Sequence, residues 1–279
     1  MIRLIACDLD ETLLDEHKQV AKGNLKEIQR ARDAGILFVP ASGRGYTSMD
    51  AILKELNLYQ KPGEYTISNN GGIVIENQSL QHISFHSFPY EQAVSLFTFG
   101  YQRQLCVEVF TDHDVYAFHL NEDERTWLYQ FKKDAITCKE KNIEFLKQEP
   151  IVKILFQHTD MNVLHELAKE MQSLTQEIAS VSFSSNRYLE LNPIGVDKGV
   201  GLQELARYLH IPMEETMAIG DNDNDRELLR VAGLSIAVAN ASEDIKALAD
   251  HVTVHDHKNG AVGEAIRRFV FQESIREGR

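Results

Sequence analysis

The sequence has few of the features that mark secreted or membrane-spanning proteins. Its three cysteines in 279 residues are an odd number at scattered positions, which argues against a disulfide framework and predicts reduced thiols. No apolar run approaches the ~18 residues of a membrane span, and the first residues lack the long apolar stretch of a signal peptide. These absences predict a cytoplasmic protein with no membrane partner.

Basic residues are also scarce. The chain has 29 lysines and arginines against 42 aspartates and glutamates, which gives a net charge of −13 at pH 7. A field of that sign disfavours nucleic-acid backbones, and it opposes any anionic substrate unless local positive charge gathers at the binding site. We therefore expect no nucleic-acid partner, and we expect a cationic focus wherever an anion binds.

Hydrophobic residues make up 43% of the chain, and its length suits two domains. Near both ends, short apolar runs alternate with amphipathic helical patterns, which predicts an α/β fold with a doubly wound, mostly parallel sheet. A turn signal at Asn70-Gly71-Gly72 predicts a hairpin over residues 65–75. The predicted strands are residues 4–7, 36–41, 217–220 and 234–239, and the predicted helices are residues 24–34, 48–58, 199–210, 225–232 and 262–270.

A middle segment, residues 85–190, has its own alternation of helices and strands. Its predicted helices are residues 90–101, 122–133 and 162–173, and its predicted strands are residues 107–110, 115–119, 151–157 and 181–191. This pattern predicts an inserted α/β domain that divides the main domain into residues 1–84 and 191–279. It could be a plain structural domain or a cap that closes over a site.

Two acidic clusters each follow an apolar strand. Asp8 and Asp10 follow the first strand, and Asp221 and Asp225 follow the strand at residues 217–220. In open α/β sheets, ligands bind beyond the carboxyl ends of the strands, so the two clusters are expected to converge. Converging carboxylates repel one another unless a cation lies among them, and ligands that are all oxygen suit Mg²⁺. The sequence therefore predicts a magnesium site.

Two further motifs lie between these clusters. Ser42-Gly43-Arg44 follows the second strand, where a hydroxyl and the backbone N–H groups of a Gly-containing turn suit phosphate oxygens. Lys198 begins a predicted helix and places a cation where it could contact an anion. An acidic nucleophile, a metal site, this cradle and one lysine are the parts needed for phosphoryl transfer through an aspartyl-phosphate.

The order and spacing of these four pieces resemble the haloacid dehalogenase superfamily of phosphatases, whose motifs read DxDxT, Ser/Thr, Lys and GDxxxD or GDxxND. The resemblance extends over residues 1–263 and is nearest to the Cof-type phosphatases with a large α/β cap. It is supported by Ser68-Asn69-Asn70-Gly71-Gly72 and by Glu190-Leu191-Asn192-Pro193. It favours a cap for the middle segment.

The resemblance also implies residue roles. Asp8 would be the nucleophile, and Asp10 would be the general acid and later the base, with its backbone carbonyl on Mg²⁺. Asp221 would bind the metal directly. Asp225 would support the metal site through a bound water or by contacting the residues that bind the ion. The groups implied at the phosphate are the backbone N–H groups of Leu9 and Gly43, the Ser42 hydroxyl, Lys198 and the Asn224 amide.

Some positions depart from the family pattern or leave the interpretation open. Glu11 stands where this family often has glycine, which affects the shape of the loop. Arg44 could reach the substrate or pair with an acid at the domain edge. His251, His255 and His257 have a spacing that suits a strand and the turn after it rather than a metal site.

The sequence thus predicts a Mg²⁺-dependent phosphatase for a small phosphorylated metabolite, as a monomer or small homo-oligomer. Sugar phosphates, flavin mononucleotide and pyridoxal phosphate all remain open as substrates. A phosphomutase would use the same aspartyl-phosphate and is the nearest alternative. A non-catalytic regulator that binds a phosphorylated ligand is a second alternative, disfavoured because Asp8, Asp10, Lys198 and Asp221 are all present.

Overall fold

The computed structural model describes residues 1–130 and 135–273. The strands in these residues are β1 Leu4–Cys7, β2 Leu37–Pro40, β3 Tyr65–Ser68, β4 Ile73–Glu76, β5 His82–Phe85, β6 Cys106–Phe110, β7 Val115–Phe118, β8 Ile136–Thr137, β9 Lys153–Gln157, β10 Ala179–Ser184, β11 Tyr188–Pro193, β12 Thr216–Gly220, β13 Leu234–Ala237 and β14 His251–Val252. The α-helices are α1 Lys22–Asp33, α2 Asp50–Glu55, α3 Tyr90–Gln102, α4 Glu122–Gln130, α5 Met161–Glu170, α6 Gln172–Thr175, α7 Lys198–Tyr208, α8 Arg226–Val231, α9 Glu243–Leu248 and α10 Ala261–Ala265.

A five-stranded sheet in the order β14-β13-β12-β1-β2 forms the main domain, and all its pairings are parallel. Every residue of β1 is buried, which is typical of a parallel strand covered on both faces. The first strand is paired with β12 on one side and β2 on the other, so segments far apart in sequence end side by side. This confirms the predicted parallel sheet.

The inserted segment forms a second sheet with its own core. Its order is β10-β11-β9-β6-β7-β8, and its pairings are antiparallel except for β7 with β8. Phe97, Phe118 and Phe156 are among the largest side chains buried in its separate hydrophobic cluster. The insertion is therefore an α/β cap, as the sequence predicts, and its sheet is mixed. The boundary between cap and main domain at residue 190 stays a prediction. Strand β11 continues three residues beyond it.

The predicted hairpin over residues 65–75 is present as antiparallel β3 and β4, and β5 extends it to a three-stranded sheet. Its turn holds Asn69 and Asn70 at φ +50° and +53°, a left-handed conformation that asparagine tolerates better than most residues. Asn192 binds this turn from the end of β11, since its Nδ2 donates to the Asn69 carbonyl at 2.8 Å.

One predicted strand was wrong. Residues 181–191 form no single strand, because β10 and β11 are the two arms of an antiparallel hairpin. Ser185 and Asn186 make the turn between them at φ +53° and +49°. The Ser-Ser-Asn run was the available signal, since serine and asparagine favour turns.

Other predicted elements differ at their ends. The predicted helix over residues 48–58 is a 3₁₀ turn at Tyr46–Ser48 followed by the shorter α2, and the helix predicted over residues 162–173 is divided into α5 and α6. The last three residues of the predicted helix over residues 122–133, residues 131–133, lie outside the described residues. Across the ranges that the structure covers, no helix combines the length and apolar character needed to cross a membrane.

Candidate active site

Three strand ends bring polar groups to one crevice of the main sheet. Asp8 directly follows β1, Asp221 directly follows β12, and Ser42 lies two residues after β2. Because β1 lies between the other two strands, these groups emerge side by side at the carboxyl edge. The structure thus shows how residues more than 200 positions apart come together.

Asp8, Asp221 and Asp225 form a buried carboxylate cluster. Each offers one oxygen, and these oxygens all lie within 4.8 Å of one another. Lys198 Nζ donates to Oδ1 of Asp8 and to Oδ1 of Asp225, each at 2.6 Å. Thr12 Oγ1 donates to Asp221 Oδ1 at 2.6 Å. The cluster therefore contains three acids and one ammonium, which two of the acids contact.

Local sequence explains where Lys198 and Asp225 lie. Asp197 is the N-cap of α7, and its side chain accepts a hydrogen bond from the Val200 N–H at 2.9 Å, which fixes Lys198 in the first turn. Asp225 Oδ2 accepts hydrogen bonds from the backbone N–H groups of Asp221 and Asn222 at 3.0 and 3.2 Å. Both oxygens of Asp225 thus accept hydrogen bonds, and through them this residue orients the Asp221 backbone and the Lys198 side chain.

The electrostatics of the cluster show an excess of negative charge. Burial, followed by the charge of Asp225, raises the pKa of Asp8 to about 7. Burial and the charges of Asp8 and Asp225 raise the pKa of Asp221 well above its usual value. Burial opposes charge on Lys198, but Asp225 and Asp8 raise its pKa. Carboxylates with too few cations fit a hard divalent ion, and oxygen ligands favour magnesium over softer metals.

Asp10 lies beside this cluster and is held by two cations. Arg44 binds it in bidentate fashion, with Nε 2.8 Å from Oδ2 and Nη2 2.6 Å from Oδ1. Lys18 Nζ donates to the same Oδ1 at 2.6 Å. Arg44 therefore pairs with an acid, which was one of its two predicted roles. Lys18 was not identified from the sequence, because it lies in a loop without a motif.

A cavity of ≈ 520 Å³ opens over these groups, between the sheet and the cap. Ser42 and Gly43 line it, and the Arg44 N–H donates to Ser42 Oγ at 3.2 Å, which holds their turn. Asn224 Nδ2 lies 3.4 Å from Asn70 Oδ1. The Leu9 carbonyl accepts hydrogen bonds from backbone N–H groups three to five residues later in the chain. The residues from the predicted motifs that line the cavity include Asp8, Asp10, Glu11, Ser42, Gly43, Arg44, Glu190, Asp221 and Asn224.

The cap contributes side chains that the sequence reasoning missed, above all Lys153. This lysine lies in β9 within the apolar run Ile151 to Leu155, and it lines the cavity with its side chain only 2% exposed. A lone charge inside a buried strand is the signal that could have identified it, since buried lysines need partners.

Glu11 explains one departure from the family pattern. Its φ is +63°, in the left-handed region where glycine is favoured. Its carbonyl accepts a hydrogen bond from Asn240 Nδ2 at 2.7 Å, so contacts across the loop hold this conformation. The loop after Asp10 thus keeps a glycine-like shape without glycine.

The three histidines near the C-terminus bind different partners. His251 stacks on Phe269, His255 Nδ1 lies 2.7 Å from Glu264 Oε2, and the His257 N–H donates to the Asn240 side chain. This matches a strand and turn rather than a shared ligand site.

Comparisons with known proteins agree with the fold. The model of the family described as haloacid dehalogenase-like hydrolase matches residues 5–266. A 5-amino-6-(5-phospho-D-ribitylamino)uracil phosphatase from Bacillus subtilis is 30% identical over 93% of this chain and 95% of its own length. A solved haloacid dehalogenase-like hydrolase from B. subtilis superposes with a TM-score of 0.85 at 24% identity, covering 96% of this chain and all of its own.

A plant relative is longer. The chloroplastic endoribonuclease YBEY of Arabidopsis thaliana is 27% identical over 96% of this chain, but the chain spans only 46% of that protein. The family match covers nearly the whole chain, including the strand ends that carry the acidic cluster. The chain belongs to the haloacid dehalogenase-like hydrolases, and within them it is a Cof-type phosphatase with an inserted cap.

Proposed function

We propose that the protein hydrolyses a small phosphomonoester metabolite with Mg²⁺, through an aspartyl-phosphate on Asp8. The observation that carries this proposal is the buried cluster of Asp8, Asp221 and Asp225 with Lys198, of which Asp8 and Asp221 line the cavity. A carboxylate could approach a phosphate dianion there only if cations offset a repulsion of about 4 kcal/mol per charge pair at an effective dielectric of 20.

The residues that would hold Mg²⁺ are Asp8 and Asp221 through side-chain oxygens and Asp10 through its carbonyl. Asp225 supports them through its hydrogen bonds to the Asp221 N–H and to Lys198. When bound, the ion would neutralise charge on the reacting phosphoryl oxygens and screen Asp8 from them. The Thr12 hydroxyl orients Asp221 for this contact.

In the first step, an Asp8 oxygen forms a bond to phosphorus while the bond from phosphorus to the leaving oxygen breaks. Lys198, Ser42 and the N–H groups of Leu9 and Gly43 stabilise the negative charge on the transferring group, with Asn224 at its edge. The leaving oxygen takes a proton from the Asp10 carboxyl.

In the second step, water attacks the phosphorus of the aspartyl-phosphate and transfers a proton to the Asp10 carboxylate, which frees Asp8. Arg44 and Lys18 hold the Asp10 carboxylate in place for this proton transfer. The same group then returns the proton in the next cycle, as microscopic reversibility requires.

The cavity limits the substrate to a small molecule. Its ≈ 520 Å³ lies within the range of about 300–1,000 Å³ of small-molecule sites. Candidates are sugar phosphates and phosphorylated cofactors such as flavin mononucleotide or pyridoxal phosphate, and a relative is named for a phosphorylated ribitylaminouracil.

A panel of phosphorylated metabolites assayed with Mg²⁺ would test the proposal. We expect release of inorganic phosphate and the free alcohol from at least one compound. Transfer of phosphate to another position of the same sugar would identify a phosphomutase instead. Rapid quench with labelled substrate should trap a phosphoenzyme on Asp8, and label on another residue would refute the assigned nucleophile.

A further inference from the structure

Outside the carboxylate cluster, the described residues contain a second buried ion pair beside the cavity. Lys153 in β9 and Glu190 in the neighbouring β11 lie on the cap, with their side chains 2% and 4% exposed. Lys153 Nζ is 3.0 Å from Glu190 Oε2 and lies 4.1 Å from the centre of the Phe110 ring. The roles proposed above do not use this pair.

The pair reaches across to the main domain. Lys153 Nζ donates to the carbonyl oxygen of Gly43 at 2.5 Å, so a cap side chain contacts the turn proposed to hold phosphate. Asn70 Nδ2, in the turn between β3 and β4, donates to Glu190 Oε2 at 2.5 Å. Hydrogen bonds from both domains thus converge on one carboxylate and one ammonium.

Glu190 is well satisfied as an anion. Besides Lys153 and Asn70, it accepts a short hydrogen bond from Ser184 Oγ. Burial alone would raise its pKa, but Lys153, Ser184 and Asn70 together lower it. An ionised Glu190 fixes the position of Lys153, because a buried ammonium without its counterion would be strongly disfavoured.

The Gly43 carbonyl is a sensitive point of the phosphate turn. The same peptide unit carries the Arg44 N–H, which donates to Ser42 Oγ, and the Arg44 side chain then binds Asp10. The orientation of this one peptide therefore affects the position of the Ser42 hydroxyl, the direction of the turn and the ion pair between Arg44 and Asp10, the proposed general acid.

The space beside Gly43 is also too small for a side chain. A Cβ atom at Gly43 would lie 3.0 Å from Asn70 Oδ1 and 3.1 and 3.2 Å from the two Glu190 oxygens. These contacts are tighter than ordinary van der Waals packing. Lys153 therefore holds the turn through its hydrogen bond to the Gly43 carbonyl, and Asn70 and Glu190 occupy the space that a side chain at Gly43 would need.

We propose that Lys153, held in place by Glu190, is a positioning residue that couples the cap to the phosphate-binding turn. While the cap is docked, Lys153 Nζ fixes the Gly43–Arg44 peptide so that Ser42 and the Gly43 N–H face the phosphate. This inference rests on the proposed function. It predicts that a cap residue controls affinity for the phosphate group itself, whatever the leaving group.

The test compares Lys153→Gln with the wild type on two substrates and one inhibitor. With p-nitrophenyl phosphate and with the best metabolite, kcat/KM should fall by similar factors, on the order of 10- to 100-fold, because a small misplacement of positioned groups slows both reactions. The inhibition constant of inorganic phosphate should rise about as much. A residue that touches only the leaving group would impair the metabolite alone, and that result would overturn the proposal.

Two further variants control the experiment. Lys169→Gln removes an exposed cap lysine that pairs with Glu166, and it should leave all three measurements unchanged. Lys153→Gln with Glu190→Gln avoids a lone buried carboxylate, so it should restore thermal stability toward that of the wild type without restoring phosphate affinity. Full recovery of phosphate affinity in this double variant would show that Lys153 acts only through folding.

Calorimetric binding of inorganic phosphate separates this inference from the proposed function. If the wild type binds phosphate but forms no phosphoenzyme, the proposed chemistry fails, and the comparison of phosphate affinities still tests Lys153. If the wild type turns over and Lys153→Gln binds phosphate equally well, the positioning role alone is refuted.

Discussion

Two buried clusters in this protein each combine a lysine with acids, and they are balanced in opposite ways. In the main domain, Lys198 binds Asp8 and Asp225, and Asp221 lies in the same cluster, which therefore has three carboxylates and one ammonium. At the cap, Lys153 faces Glu190, which also accepts hydrogen bonds from neutral donors. One cluster has excess charge, and the other is neutral.

The pKa shifts follow this difference. Burial raises the pKa of Asp8 to about 7 and that of Asp221 well above its usual value, whereas the partners of Glu190 lower its pKa in spite of burial. Unbalanced buried charge indicates a place where another ion or a substrate completes the site. Balanced buried charge, as in the pair of Lys153 and Glu190, indicates a structural contact that fixes the positions of the neighbouring residues.

The largest effect should come from Asp8→Asn. It removes the charge of the proposed nucleophile and should lower turnover on the order of 10³- to 10⁶-fold, as loss of a nucleophile does in other enzymes. Folding should survive, because the change relieves repulsion in an overcharged cluster. Steady-state assays beside a urea titration would check both statements. Activity above a few per cent would rule out Asp8 as nucleophile, and a large loss of stability would contradict the contrast between the clusters.

The balanced cluster should respond in the opposite way. Glu190→Leu leaves Lys153 buried without its counterion, so the free energy of unfolding should fall by about 3–5 kcal/mol. Because the pKa of Glu190 is lowered, its stabilising contribution is present at neutral pH and is lost only as the pH falls below about 4.5. Urea titrations of the single variant and of Lys153→Met with Glu190→Leu would measure this. The double variant should recover most of the loss, and no recovery would mean that the pair is not coupled.

A smaller effect should follow from Thr12→Val. The hydroxyl orients Asp221 through a 2.6 Å hydrogen bond, and loss of such support lowers metal affinity about 10- to 100-fold. Mg²⁺ titrations followed by thermal shift and by activity would measure it. Thr66→Val is the matched control, because Thr66 is equally buried but bonds to Asn77 away from the cluster. An equal shift in both variants would contradict the assignment of Asp221 to the metal.

The smallest effect should come from Glu11→Gln. The charge of Glu11 contributes to the raised pKa of Asp221, so its removal should weaken Mg²⁺ binding by about two- to five-fold, the scale of exposed charge interactions. Glu16→Gln removes an exposed charge of the same loop that pairs with Lys258 and should not change the affinity. If the two variants behave alike, only the net charge of the loop matters.

Much of the main domain could be predicted from the sequence, because its information is local. An apolar run that ends in Asp8 or Asp221 shows both the buried strand and the group at its end. The same reasoning failed over residues 181–191, where the apolar pattern continues through a turn made by Ser185 and Asn186. Alternation of apolar residues does not show where a strand reverses.

The partners of the charged groups could not be predicted in this way. Arg44 was equally compatible with the substrate or an acid, and its bidentate pair with Asp10 forms because the β2 and β1 ends are adjacent. Lys153 reaches Gly43 across 110 positions of sequence, since the cap sheet lies over the carboxyl edge of the main sheet.

By itself, the sequence determined the kinds of groups at the strand ends and therefore the kind of chemistry that we propose for them. The apolar runs bury their strands wherever they lie in the chain, and the acidic and hydroxyl groups must then emerge at the ends. Only the tertiary structure decided the balance of charge. Whether a buried acid has enough cations around it depends on distances between segments far apart in sequence, and packing sets those distances.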